Sequence, residues 1–140
     1  MQLSARNQLK GSITAISRGA VNGDVTLTLP GGQAITAIIT LGSCDRLELD
    51  RGKPAIAIFK ASSVMLANGD DIATSARNQL AGTIERIVEG AVNSEVILDV
   101  GGGVEITAII TRESVERLGL RQGAPAKAII KASSVMLGVE

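Results

Sequence analysis

The chain has 140 residues, 45% of them apolar, and its 14 basic residues balance 14 acidic ones. This composition is typical of a globular protein and gives no broad positive surface for nucleic acid or a membrane. The chain has no histidine, tryptophan or tyrosine, so it lacks the usual general base and metal ligand and the aromatic platforms that stack bases. We therefore expect no enzyme, no metal cation site and no nucleic-acid partner.

The expected location is the cytoplasm. No apolar run approaches the roughly 20 residues needed to span a bilayer, and the first residues lack the hydrophobic core of a signal peptide. The single cysteine, Cys44, cannot form an internal disulfide, which agrees with a reducing compartment. Its counterpart in the repeat described next is Val115, so Cys44 is interpreted as a small apolar residue.

A tandem duplication organises the whole chain. The phrase SARNQL at residues 4–9 returns at 75–80, and residues 4–69 align with 75–140 without a gap, with more than half of the aligned pairs identical. The polar, turn-forming seam between the copies predicts two domains, 1–69 and 70–140. Each is so small that one hydrophobic core is marginal, so we expect burial against a neighbour.

The elements follow in the same order in both copies. In the first, DVTLTL (24–29) alternates before a glycine turn and ITAIIT (35–40) is β-branched, so both predict strands. SCDRLEL predicts one short helix that closes at Gly52, and AIAIFKASSVML resumes the alternation as a last long strand. The fold class predicted is all-β: two tandem OB-like five-stranded small β-barrels, each with one short helix. The second copy repeats these elements as EVILDV (95–100), ITAIIT (106–111), ESVERLGL, which closes at Gly123, and AKAIIKASSVML.

Three of the four blocks that duplication has left identical carry polar residues at strand ends. The four blocks are SARNQL, GAVN, ITAIIT and KASSVML, whereas core positions exchange apolar residues, as Phe59 does with Ile130. Arg6 offers a planar fork of donors, Lys60 a point charge, Asn7 an amide, and the serines hydroxyls. Small residues beside them allow a ligand to approach backbone N–H groups. Such a set of donors indicates a site for a compact oxyanion.

Three classes of function are compatible with these observations. The first is an oxyanion-binding protein, which the repeated donor set favours. The second is a structural oligomerisation module, because each block taken alone is also typical of a surface charge or a β-turn. The third is an OB-fold nucleic-acid binder, which the lack of stacking aromatics and of net positive charge opposes.

The order SARN, GAVN, TAIIT and KASSVML resembles the Mop domain of the molbindins, small molybdate-binding proteins, and the two copies resemble the di-domain molbindins. The resemblance implies OB-like barrels, a homotrimer, and molybdate or tungstate as a bound oxyanion at interfaces, for storage or homeostasis and without an organic cofactor. The chain shows neither a helix-turn-helix pattern nor a P-loop, which leaves the binding module.

The resemblance also implies two classes of site. The first class would use side chains and backbone at Ser4, Ala5, Arg6, Asn7, Thr40, Lys60, Ala61 and Ser62 in one copy, and at Ser75, Ala76, Arg77, Asn78, Thr111, Lys131, Ala132 and Ser133 in the other. The second class, near a symmetry axis, would use Gly19, Ala20, Val21 and Asn22, and Gly90, Ala91, Val92 and Asn93.

Overall fold

The computed structural model describes residues 2–69 and 73–140, which form two five-stranded antiparallel sheets and two short α-helices. The all-β class and the five-stranded barrels are confirmed. In chain order the elements are β1 (Asn7–Arg18), β2 (Asn22–Thr28), β3 (Ala34–Thr40), α1 (Leu41–Arg46), β4 (Pro54–Phe59), β5 (Met65–Ala67), β6 (Asn78–Glu89), β7 (Asn93–Asp99), β8 (Glu105–Thr111), α2 (Arg112–Leu118), β9 (Pro125–Ile130) and β10 (Met136–Gly138).

The first strand of each copy bends the sheet into a barrel. The first half of β1 pairs with β4 and its second half with β2, and the register shifts between Ile13 and Ala15. Such a bulge bends the strand and increases its twist. Gly11 lies at the bend, where a Cβ atom would come within 2.7 Å of the Thr28 carbonyl oxygen, so only glycine lets the two strands approach this closely. β6 repeats the arrangement with a shift between Ile84 and Arg86.

Alternation along the strands fills the barrel interiors. Val25 and Leu27 of β2 are fully buried, whereas the residues between them are half-buried. Phe59, at the end of β4, is also fully buried, and Ile130 takes its place in the second barrel. The two copies exchange Phe59 for Ile130 because both positions lie in the core, where apolar residues of similar volume can replace each other.

Both helices begin earlier than the apolar pattern predicts, α1 by two residues and α2 by one. The hydroxyls of Thr40 and Thr111 accept hydrogen bonds from the Ser43 and Ser114 N–H groups, at 3.1 Å each, and so cap the helices at residues 41 and 112. α2 ends at Gly119, which has a left-handed conformation. Neither helix continues to the glycine, Gly52 or Gly123, at which the sequence pattern closes.

The last long strand predicted for each copy is two strands, and the second of them belongs to the other barrel. A single 3₁₀ turn at Ala61–Ser63 separates β4 from β5, and Ala132–Ser134 separates β9 from β10. The sheets have the strand orders β10-β4-β1-β2-β3 and β5-β9-β6-β7-β8. Each turn redirects the chain away from its own barrel, so the two copies exchange their terminal strands.

Two buried asparagines join the edge of each barrel to the other. The side chain of Asn7 donates from Nδ2 to the Thr107 carbonyl at 2.9 Å, and its Oδ1 accepts from the Thr107 N–H at 2.8 Å. Asn78 makes the same two bonds to Thr36, at 2.8 and 2.7 Å. Thr107 and Thr36 lie on β8 and β3, the outermost strands of their sheets. We call this reciprocal pair of contacts the amide clamp.

The glycine turns of the two copies also meet, and there the two copies differ. A Cβ atom at Gly31 would lie 2.7 Å from the Gly101 carbonyl carbon, so the contact requires glycine. The side chain of Gln33 bonds to the Ala81 N–H and to the carbonyls of Ala81 and Val100, at 2.7 to 3.0 Å. The equivalent of Gln33 in the second copy is valine, so this contact is made once.

The predicted boundary at residue 69 remains a prediction, because residues 70–72 of the seam lie outside the described residues and each sheet contains strands from both copies. Across the described parts of the chain, no helix has the length and apolar character needed to cross a membrane.

We predict that the amide clamp contributes strongly to stability. Asn7 and Asn78 are 1% and 2% exposed, so Asn7→Ala or Asn78→Ala would leave a backbone N–H and a carbonyl buried without partners. Each substitution should lower the free energy of unfolding by about 3 kcal/mol. Urea unfolding followed by far-ultraviolet circular dichroism measures this. Thr14→Ala, at an exposed bulge position, is the control and should change the value by less than about 0.5 kcal/mol. An Asn7→Ala variant as stable as the parent would contradict the assignment.

Candidate oxyanion-binding sites

The first cavity lies where β1 begins and β4 ends. Asn7 pairs with Phe59 in the ladder between these strands, so the residues just before the one and just after the other are brought together. The cavity has a volume of about 310 Å³. Its lining includes Ser4, Ala5, Arg6, Lys60, Ala61 and Ser62.

The second copy builds an equivalent cavity of about 400 Å³. Here the pairing of Asn78 with Ile130 brings the two segments together. The structure therefore groups six of the eight residues predicted for each first-class site, although the predicted sets came from separate ends of each repeat. The lining of the second cavity includes Ser75, Ala76, Arg77, Lys131, Ala132 and Ser133.

Apolar residues complete both cavities, and some of them come from the opposite copy. Ile109 of β8 and Met136 of β10 line the first cavity, and Ile38 of β3 and Met65 of β5 line the second. Because the exchanged strands carry the two methionines, neither cavity is made by one repeat alone. The repeated Ile and Met could have indicated this from sequence, but their apolar character is equally typical of core residues.

Each arginine of the first-class sites is held by a carboxylate of the other copy. Arg6 Nη1 and Nη2 donate to the two carboxylate oxygens of Glu95 at 2.7 and 2.9 Å. Arg77 Nη1 donates to Asp24 Oδ2 at 2.9 Å. The hydrogen bond and charge of Arg6 lower the pKa of Glu95, and the same contact raises the pKa of Arg6. An end-on contact of this kind leaves the Nε side of the Arg6 guanidinium available to a ligand.

Asp24 and Glu95 are absent from the sequence-based sites. Acidic residues on an alternating strand are typical of a solvated face, which is why the pattern missed them. They nevertheless occupy equivalent positions in the two copies, and this repetition of charge was a usable signal.

The structure corrects the interpretation of the Asn7 side chain as a donor to an anion. In the amide clamp, its amide and that of Asn78 each donate one N–H and accept one hydrogen bond at the oxygen. Because both side chains are buried against the strand edge of the other barrel, they are not placed to donate to an anion in the cavity. Only their backbone groups remain as candidates, and neither residue lines the cavity next to it.

Within the chain Thr40 lies apart from the other residues predicted for its first-class site, so its part in that site stays a prediction. Thr40 does not line the first cavity but lies in a groove of about 360 Å³ between α1 and the turn of the second copy, together with Ser133. Its hydroxyl accepts from the Ser43 N–H and donates to Ser43 Oγ at 3.0 Å. Thr111 caps α2 in the same way and is absent from the lining of the second cavity. The hydroxyl of each threonine is committed to its helix.

The GAVN turn of the first copy lines a shallow cavity of about 420 Å³. Gly19 donates its N–H to the Asn22 carbonyl at 2.8 Å, which closes the turn. The Val21 side chain is 71% exposed, and Val92, its counterpart in the second turn, is 73% exposed. Asp24 also lines this GAVN cavity, so its carboxylate lies between the GAVN cavity and Arg77. The second turn comprises Gly90, Ala91, Val92 and Asn93.

Fold and cavities together define a pair of small β-barrel domains whose polar strand ends are grouped around cavities. The chain belongs to the TOBE domain family, whose model matches residues 3–66 and 74–137. In the described regions, no group of three or more acidic or cysteine side chains is placed to hold a metal ion.

Similar proteins include the molybdenum-pterin-binding protein MopA of Rhodobacter capsulatus, 44% identical, and the molybdenum transport protein ModE of Herbaspirillum seropedicae, 43% identical. The alignments cover 99% and 100% of this chain but 53% and 52% of those proteins. The chain thus spans about half the length of these relatives.

A solved structure matches over its full length. It is the cytoplasmic molybdate-binding protein ModG with molybdate bound, 48% identical, with a TM-score of 0.95 and coverage of 100% of both chains. These matches confirm the resemblance to molbindins, and the chain consists of two tandem TOBE domains.

We predict that Arg6→Gln will raise the pKa of Glu95 toward its ordinary value of 4.5. The folded-state pKa of Glu95 lies below that value, so the pair stabilises the fold at neutral pH and this contribution disappears as the pH falls through the folded-state pKa. Carboxyl-detected NMR titration measures the shift. Arg77→Gln is the matched control and should leave the Glu95 pKa unchanged. An unchanged pKa in Arg6→Gln would show that the guanidinium is not its cause.

Proposed function

We propose that the chain binds molybdate, or the similar tungstate, in the cytoplasm and serves to store or buffer molybdenum. The observation that carries this proposal is that each copy independently groups an arginine, a lysine, two serines and small residues around one cavity. ModG, similar over its full length, is named as a molybdate-binding protein.

The donor chemistry fits a tetrahedral dianion. Arginine, lysine and backbone N–H groups only donate, and a fully deprotonated oxyanion only accepts. Hydrogen phosphate carries a proton that would face a donor, so the same cavity discriminates against it. Arg6 and Lys60 bring two positive charges to the first cavity, and Glu95 offsets part of that charge without occupying the cavity lining.

We further propose that three chains assemble and that the sites lie between them. Lys60 and Ser62 are exposed in the single chain, where water would compete with them for the anion. Apolar side chains at the rims, such as Met65 and Met136, are 51% and 54% exposed, which is typical of a surface that another subunit covers. The resemblance to molbindins supports three as the number.

We predict that native mass spectrometry will find a trimer that gains mass in units of the oxyanion when molybdate is added. Assembly supplies the cover that an open cavity lacks, so dissociated chains should retain little of the added anion. Sulfate and phosphate at the same concentration serve as control anions. A monomer at micromolar concentration, confirmed by light scattering, would contradict the assembly.

We predict that Lys60→Ala and Lys131→Ala will each weaken one set of first-class sites and leave the other intact. Losing one charge-assisted contact to a desolvated anion should cost about 2 kcal/mol, roughly a thirtyfold loss of affinity. Calorimetric titration with molybdate should show complementary losses in the single variants and both in the double variant.

Lys10→Ala is the control for these variants, because Lys10 is an exposed lysine paired with Glu140 and outside both cavities. Circular dichroism verifies that each variant is folded. If the double variant binds like the parent, the lysines are solvated surface charges. The anions would then bind elsewhere on the chain.

A further inference from the structure

The two first-class cavities differ at the residue that precedes their serine. Leu3 lines the first cavity and Thr74 the second. This is a change from an apolar to a hydroxyl side chain at equivalent positions of the duplication. The six predicted site residues that line each cavity are identical between the copies. A difference confined to one position at a ligand cavity is a candidate for tuning affinity.

The hydroxyl of Thr74 is in use. Its Oγ1 accepts a hydrogen bond from the Ala76 N–H at 2.9 Å. Ala76 lines the second cavity, as its counterpart Ala5 lines the first. Leu3 has no polar atom, so the equivalent bond to the Ala5 N–H cannot form in the first copy. The Ala5 N–H thus remains available as a donor in the first cavity, whereas the Ala76 N–H of the second cavity is already paired with Thr74.

We propose that Thr74 is an affinity-determining residue of the second cavity. By accepting the hydrogen bond of the Ala76 N–H, it lowers the affinity of this cavity for oxyanions. The inference rests on the proposed function and adds that the two sets of first-class sites are chemically unequal. A backbone N–H is a fixed donor that needs no ordering of a side chain. An anion that uses the Ala76 N–H must first break the bond to Thr74, whereas an anion at Ala5 breaks nothing.

The arginine contacts would not by themselves make the second cavity the weaker one. Arg6 commits two nitrogens to Glu95 and Arg77 commits one to Asp24, which by itself leaves more guanidinium donors free in the second cavity. The effect of Thr74 must therefore be measured within one cavity, against the same arginine. Thr74→Val serves this purpose, because valine has nearly the shape of threonine and cannot accept the bond.

The test uses the full chain with one set of first-class sites silenced. In a Lys60→Ala background, which leaves the second set intact, Thr74→Val should raise the affinity for molybdate about tenfold, the effect of one net hydrogen bond to a charged acceptor. In a Lys131→Ala background, Leu3→Thr should lower the affinity of the first set by a similar factor. Leu3→Val is the matched control, since it changes the same position without adding an acceptor.

Amide NMR gives a readout that a merely structural role would not change. In the parent, molybdate should shift the Ala5 amide proton and leave that of Ala76 nearly unchanged, whereas in Thr74→Val both should shift. If Thr74→Val leaves the affinity unchanged or lowers it, the inference is overturned, and lowered affinity would mean that the Thr74 hydroxyl itself donates to the anion. If the parent binds no molybdate in any background, the proposed function fails and this inference fails with it.

Discussion

Two buried asparagines hold the barrels together by acting as short pieces of backbone. Each presents one donor and one acceptor to the outermost strand of the other barrel and so satisfies polar groups that would otherwise be buried unpaired. No apolar side chain could replace them, because the strand edge requires both a donor and an acceptor. The exchanged strands, the meeting of the glycine turns and the Gln33 contact all depend on the relative position that this clamp sets.

The candidate sites depend on the same contact. Arg6 immediately precedes Asn7, so the residue that lines the cavity is the chain neighbour of a residue fixed against the other barrel. Glu95 then holds the guanidinium from that second barrel. A site that binds a small anion needs donors in fixed places, and here the rigidity comes from the junction of the two copies rather than from either copy alone.

Local pattern predicted the parts of this structure that depend on local physics. The strands at ITAIIT and the core position of Phe59 follow from alternation and burial, and the polar cavity residues follow from their repetition. The destination of β5 and β10 could not be predicted, because both copies carry the same KASSVML and nothing in it distinguishes one barrel from the other. Repetition likewise marked Asn7 as important, but an amide serves a strand edge as well as an anion, and only the fold shows which.

The exchange of terminal strands determines when the first barrel can be completed during synthesis. The first barrel receives its fifth strand from residues 136–138, so it cannot close until almost the whole second copy has left the ribosome. Meanwhile β5, which carries the same Met-Leu pair as β10, is the nearest strand able to cover the open edge of β4. Until β10 has been synthesised, the β4 edge of the nascent first copy is therefore open to a competing strand of nearly the same sequence.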